Sequence, residues 1–217
     1  RCYESIMMSG ASTVDAIRRV GLEMFARDGY EATTMRAIAS EVGIQAGSLY
    51  NHFASKEEIL WDLTRGALMQ LTSRIRESME TLAVDADARD QLSAFVDAHV
   101  RFHALNSDQA SIVNRQMAGL SATHYRQAVS LRATFETQLG DILRNGDASG
   151  EFHVIDLRMS VIAILQMCIS VSTWYRADGK LSPDEICAVY VQLSQRMVGF
   201  DQRALMASGP RKGVSQR

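Results

Sequence analysis

Apolar positions recur at helical spacing along most of the chain. Within 14–27, Ile17, Val20, Gly21, Met24 and Phe25 fall at i, i+3, i+4, i+7 and i+8, one face of an amphipathic helix. Asp28-Gly29-Tyr30 ends it, with Gly29 suited to a left-handed turn. Thr33 and Thr34 offer N-caps for a short second helix over 35–42, with Ile38, Ala39 and Val42 facing inward. Gly43 supplies a tight turn before a third helix over 45–52. Ser55-Lys56-Glu57-Glu58 fits the S-x-x-E capping box, so a fourth helix starts there. Ile59, Leu60, Leu63, Ala67 and Leu71 carry its apolar pattern towards Leu82. Beyond the loop "AVDADARD", helical patterns follow near 88–105, 108–119, 122–146, 156–176 and 183–204. "RNGDASGEF" and "RADGKLSPDE" separate the later ones, and Ser182-Pro183-Asp184-Glu185 is a second capping box with proline at the first helical position.

The pattern predicts an all-α protein in two parts. An N-terminal arm and a three-helix unit occupy 1–55, a connecting helix 56–83, a helical second domain 84–205, and a polar, disordered tail 206–217. With 47% apolar residues in 217 and only two prolines, the chain can bury a large helical core. A net charge of −2 says little about partners. Cys2, Cys168 and Cys187 do not form a disulfide framework or a C-x-x-C metal spacing, which fits a reducing cytoplasm. Glu4 and the lack of a long apolar run near the first residues argue against a signal peptide. The uncharged run 159–175 is short for a membrane span and holds Ser160, Gln166, Ser170, Ser172 and Thr173, so it reads as a helix buried within protein.

The segment "GIQAGSLYNHFASKEEIL" is too rich in hydrogen-bonding side chains for a helix made only to fill a core. Two short helices around a glycine turn, with a longer helix before them, make a helix-turn-helix whose second helix enters the major groove of DNA. Leu49 and Phe53, four apart, anchor that helix. Gln45 and Ala46 sit at its leading end, where side chains reach base edges, and Gly47 lets the backbone come close. Ser48, Tyr50, Asn51 and His52 suit phosphates or base edges, and Lys56 brings charge to the next helix start. Residues 1–60 hold six Lys/Arg against eight acids, so a strongly basic footprint is absent and charge does not decide the matter.

"AIRRVGLEMFARDGYEATTMRAIASEVGIQAGSLYNHFASKEEIL" resembles the N-terminal domain of the TetR family of bacterial transcriptional regulators. The resemblance covers about 14–60 without a gap and includes F-x-x-x-G-Y-x-x-T-T, I-A-x-x-x-G and G-S-L-Y-x-H-F-x-x-K. It implies that Thr34 and Tyr50 bind phosphate, that Arg36 and Gln45 reach bases with Ala46 beside them, and that Ser48, His52 and Lys56 hold the backbone. Ala46 departs from the polar residue often found there. The resemblance further implies a second, all-helical domain that dimerises and binds a small effector.

The residues of that domain agree. The helix expected over 156–176 is apolar nearly all round, and Ile186, Val189, Tyr190, Leu193, Met197 and Phe200 form a stripe on the next. The two helices of each chain would make a four-helix interface, and the dimer would read a near-palindromic operator. "GEFHVIDLRMSVIAILQMCISVSTWYRADGKLSPDEICAVYVQL" is similar to the TetR subgroup that often responds to acyl-CoA thioesters in fatty-acid, aromatic or steroid breakdown. Candidate effector-binding residues are Phe95, His99, Phe102, His103, Met117, Tyr125, Phe135, Met167 and Trp174, each of which also suits an ordinary core. His99 and His103 are four apart but lack a third metal ligand at clear spacing, so no metal is expected. No cofactor or catalytic motif is present: there is no P-loop, G-x-G-x-x-G, G-x-S-x-G or H-E-x-x-H. The readings left open are a ligand-released repressor, a regulator answering an aromatic or drug-like ligand, and a helix-turn-helix protein without an effector.

Overall fold

The computed structural model describes residues 12–200, so the N-terminal arm, Cys2 and the expected tail lie outside the described residues. Those residues are all-helical. The α-helices are α1 (Thr13–Arg27), α2 (Met35–Val42), α3 (Ala46–His52), α4 (Lys56–Glu80), α5 (Ala88–Leu105), α6 (Ser107–Arg115), α7 (Ala122–Ser149), α8 (Leu157–Trp174) and α9 (Pro183–Met197). A short 3-10 turn, Met117–Gly119, joins α6 to α7.

Polar side chains set many of the helix starts. Ser12, Thr34, Asp87, Ser121, Asp156 and Ser182 each accept a backbone N–H of the first turn. Ser182 and Glu185 complete a reciprocal capping box. At α4 only half of the expected box forms: Ser55 accepts from the Glu58 N–H, but the Glu58 carboxylate takes the Ala54 N–H. Gly43 ends α2 in the left-handed conformation, φ 80°, and its N–H and that of Ile44 close the last turn on the Ala39 and Ser40 carbonyls.

Three boundaries differ from the apolar pattern. Gly146 does not stop α7. It lies where the Phe152 ring packs so closely that a Cβ would sit 2.2 Å from it, and the helix runs on to Gly150 at φ 79°. The expected helix over 108–119 breaks after Arg115, and Gly119 lies against Tyr30, where a Cβ would be 2.7 Å from the ring. The last helix ends at Met197, because Gly199 turns left-handed and the Val198 carbonyl accepts the His153 N–H at 2.7 Å.

One continuous core joins both parts of the chain. Ile17, Phe25, Ile38, Leu49, Ile59 and Leu60 hold α1–α3 against the start of α4. In the second part α5 is central and packs on α4, α7, α8 and α9. The α6 helix packs on α1, α4 and α8, so it touches both parts.

Candidate nucleic-acid interface and effector cavity

The α2–α3 pair presents a polar face on an apolar base. Ile38, Ala39, Leu49 and Phe53 are buried, which fixes both helices. Outside them Thr34, Arg36, Gln45, Gly47, Tyr50, Asn51 and His52 are exposed, and Ala46 and Ser48 are half-buried. Among the described residues Arg36 has no ion-pair partner and Gln45, the α3 N-cap, makes no side-chain capping bond. The Thr34 hydroxyl accepts the Ala37 N–H at 3.1 Å. A Cβ on Gly47 would meet nothing within 4 Å, so the protein's own packing does not demand glycine there. Lys56 also has partners within the protein. Its amine donates to the Tyr30 carbonyl at 2.7 Å and sits 4.2 Å from the Tyr30 ring centroid. Lys56 therefore braces the loop after α1 against the start of α4.

A cavity of about 130 Å³ lies between α4, α5, α6, α7 and α8. Of the nine sequence candidates His99, Phe102, His103 and Phe135 line it. Phe95 is fully buried behind His99, with ring centroids 5.9 Å apart. Met117 lies in the 3-10 turn, Tyr125 is exposed, Met167 is half-buried, and Trp174 is exposed and stacks on Tyr190; none of these four lines the cavity. The aromatic pattern missed Asn114, Arg132 and Glu136, together with Leu68 and Leu71 of α4 and Leu165 of α8. Arg132 carried a signal: it stands four residues after the buried Ala128 and three before Phe135, a charge in an apolar register.

The cavity wall holds polar groups without partners. His99 is fully buried and neither ring nitrogen has a hydrogen-bond partner. His103 stacks on it at 4.6 Å and holds its Nδ1 2.8 Å from the His99 carbonyl. Burial drives the His99 imidazole well below its ordinary value, with the charges of His103 and Arg132 adding to the effect. Burial likewise pushes His103 down to about 4. The Arg132 guanidinium is lowered by burial as well. It donates to the Val113 carbonyl and to Asn114 Oδ1, while the buried Asn114 Nδ2 has no partner. No cluster of three metal-ligating side chains occurs among the described residues. Cys168 and Cys187 are buried free thiols, both raised by burial, and Cys168 reads as a small apolar core residue.

Two elements that wall the cavity, α6 and α7, meet at 115–122, and this junction grips the N-terminal unit. Glu57 in the first turn of α4 accepts the Ser121 N–H at 2.7 Å and lies 2.8 Å from His124 Nδ1. The His124 ring stacks flat on Trp61, 4.7 Å between centroids. Burial raises the Glu57 carboxyl, but the Ser121 and His124 bonds outweigh it and hold it below the ordinary carboxylate value. One residue before Ser121's neighbour Leu120, Gly119 touches Tyr30, the residue that Lys56 braces.

Two short helices joined at the Gly43 turn, with an outward polar face, make a helix-turn-helix of the kind that binds DNA, and a second, cavity-bearing helical domain follows it. Residues 17–63 match the family model described as "Bacterial regulatory proteins, tetR family", and 85–198 match "Tetracyclin repressor-like, C-terminal domain". The chain belongs to the TetR family of transcriptional regulators. It is 32% identical over 174 residues to the HTH-type transcriptional repressor KstR2 of Mycobacterium tuberculosis, covering 78% of this chain and 84% of that protein. It is 28% identical over 163 residues to the fatty acid metabolism regulator protein of Bacillus subtilis, covering 73% and 81%. A tetR-family regulatory protein from Rhodococcus RHA1 has the same fold, with a TM-score of 0.83 at 30% identity over 88% of this chain and all of that one.

Proposed function

We propose that the chain is a dimeric transcriptional repressor that leaves a near-palindromic operator when a small apolar or acyl-CoA-type effector fills the α4–α8 cavity. The observation that carries this reading is the junction at 115–124. Helices that wall the cavity continue directly into Gly119, Ser121 and His124, which hold Tyr30, Glu57 and Trp61 of the N-terminal unit. An effector releases DNA only if it favours a conformation in which the two recognition helices no longer fit successive major grooves. A shift of α6 or α7 around a ligand has a short mechanical route to α3, and α4, which contributes Ala67, Leu68 and Leu71 to the cavity, supplies a second. KstR2 is named a transcriptional repressor and the Bacillus subtilis relative a fatty acid metabolism regulator, which agrees with this reading. The half-buried Arg132 disfavours a drug-like cation in this cavity.

In this reading Arg36 and Gln45 read bases, with Ala46 and Gly47 allowing close approach. Thr34, Ser48, Tyr50, Asn51 and His52 hold phosphates or base edges, and Lys56 keeps the unit rigid. The test is fluorescence anisotropy of a labelled duplex from the chain's own promoter, titrated with protein at several salt concentrations and then with acyl-CoA thioesters. Binding should weaken steeply with salt and reverse on adding an effector. Absence of salt-dependent binding to any such duplex would end the proposal.

A further inference from the structure

The polar groups left without partners around the cavity are mostly donors. Asn114 Oδ1 accepts from Arg132, while its Nδ2 donor has no acceptor. The Arg132 guanidinium uses one terminal nitrogen on Val113 and Asn114 and forms no ion pair among the described residues. His99 contributes one N–H and one bare nitrogen, both without a partner in a fully buried side chain. A buried donor without an acceptor is costly, so such a set is built to meet something. The rest of the wall is apolar: Ala67, Leu68, Leu71, Phe135, Val161 and Leu165. The space of about 130 Å³, open on the side of Glu136 and Gln166, is slightly smaller than an apolar cavity of about 150 Å³ that accepts benzene in another protein.

We propose that this cavity encloses an acyl group no larger than a single six-membered ring, whose carbonyl or carboxylate oxygen accepts hydrogen bonds from Asn114, Arg132 and His99. The proposal rests on the effector reading above and narrows it. A long fatty chain or a fused-ring skeleton is larger than this space of about 130 Å³, and a pure hydrocarbon leaves the donors unmet. Glu136 and Gln166, exposed at the rim, mark the side where a larger carrier stays in solvent. Neutral His99 suits this role, because burial disfavours its charged form and it meets a polar oxygen as a hydrogen-bonding ring.

The experiment is calorimetric titration and thermal melting of the full chain without DNA. The probes are butyryl-CoA, benzoyl-CoA, dodecanoyl-CoA, benzoate, CoA alone and a benzyl-CoA thioether that lacks the carbonyl oxygen. Benzoyl- or butyryl-CoA, or benzoate, should bind at least tenfold more tightly than dodecanoyl-CoA, and benzoyl-CoA at least tenfold more tightly than the thioether. Tighter benzoate assigns the oxygen to a free carboxylate; tighter benzoyl-CoA assigns it to a thioester. Either outcome supports the proposal. Tightest binding of dodecanoyl-CoA, equal binding of the thioether, or no melting shift with any short probe overturns it. His99→Phe keeps the ring and removes the unmet nitrogens. It should melt at or above the wild-type temperature yet bind the best short probe at least fivefold more weakly, and unchanged affinity overturns the assignment of His99. Operator binding measured on the same preparation separates the two readings. Release by dodecanoyl-CoA with no short-acyl binding keeps the repressor and ends this proposal, whereas short-acyl binding without operator binding does the reverse.

Discussion

Arg36 and Tyr50 stand free on the outer face of α2–α3, and they should fail in different ways. If Arg36 reads a base, Arg36→Ala costs about 1–3 kcal/mol and relaxes specificity at one operator position. If Tyr50 binds phosphate, Tyr50→Phe removes that hydroxyl and weakens binding evenly across sequences. A panel of single-base operator variants distinguishes the two, since only the arginine variant should flatten the ranking. Gly47 gives an independent check. An added methyl meets nothing in the free protein and raises helix propensity, so Gly47→Ala should stabilise the fold by roughly 0.5–1 kcal/mol. It should also weaken operator binding, because the same methyl would stand between the backbone and DNA. A variant that binds DNA as well as wild type would show that α3 does not approach so closely. The paired histidines carry a pH signature. The unfolded chain protonates His103 near its ordinary value of about 6.5, while the folded chain holds it neutral down to about 4. Stability present above pH 6.5 is therefore lost as pH falls through that window, on the order of a few kcal/mol at the acid end, with buried His99 adding in the same direction. Melting between pH 7 and 4.5 should slope less in His103→Leu than in wild type, and parallel slopes would refute this.

At the scale of elements, one carboxylate ties the 115–124 junction to the first turn of α4. Glu57 serves the Ser121 N–H and the His124 ring together, with Trp61 stacked behind the imidazole. His124→Ala removes the ring but leaves the α2–α3 face intact. It should retain operator affinity within a few fold while raising the effector concentration needed for release, and should alter Trp61 fluorescence. If release is unaffected while Trp61 responds, the coupling runs through α4 instead. None of this junction was legible in the sequence, because Glu57 reads as a capping-box neighbour and His124 as a polar residue at a helix start. Local patterns were legible. Period, caps and the Gly43 turn place α1 to α4 within a residue or two, because these depend on neighbours in the chain. The errors came where a distant side chain decided. Phe152 packs where Gly146 leaves room and α7 continues past it, and Tyr30 packs as closely on Gly119, where the expected 108–119 helix has given way to a 3-10 turn. The cavity followed the same rule. Phe102 and Phe135 were found by residue type, but Asn114 and Arg132 matter because tertiary packing leaves their donors facing it.

At the scale of the whole molecule, the unresolved balance is apolar surface. Helix α8, Leu157–Trp174, is long and apolar enough by length and composition to cross a membrane, yet only 28% of that span is buried in the protomer. Ile164, Leu165, Cys168 and Val171 face the core, while Met159, Ile162 and Trp174 are exposed. The expected stripe divides: Ile186 on α9 and Phe200 beyond its end pack inward, and Val189, Leu193 and Met197 stay exposed. Helices α8 and α9 both lie on α5, so these side chains belong to neighbouring surfaces of the second domain. A protein rarely leaves so large a patch open, and a second copy related by two-fold symmetry would cover it with the same patch. The pairing would also set two α3 helices for half-sites about one DNA turn, roughly 34–36 Å, apart. Leu193→Glu and Met159→Glu test this cleanly, because both positions are exposed in the protomer, neither lines the cavity, and a charge there costs the fold little. Each variant should keep its helical circular dichroism, sediment as a monomer at micromolar concentration and lose operator binding, since one half-site supplies only part of the contact energy. Wild-type protein that sediments as a monomer, or a monomeric variant that still binds the full operator with wild-type affinity, would separate dimerisation from DNA recognition and remove this face from the mechanism.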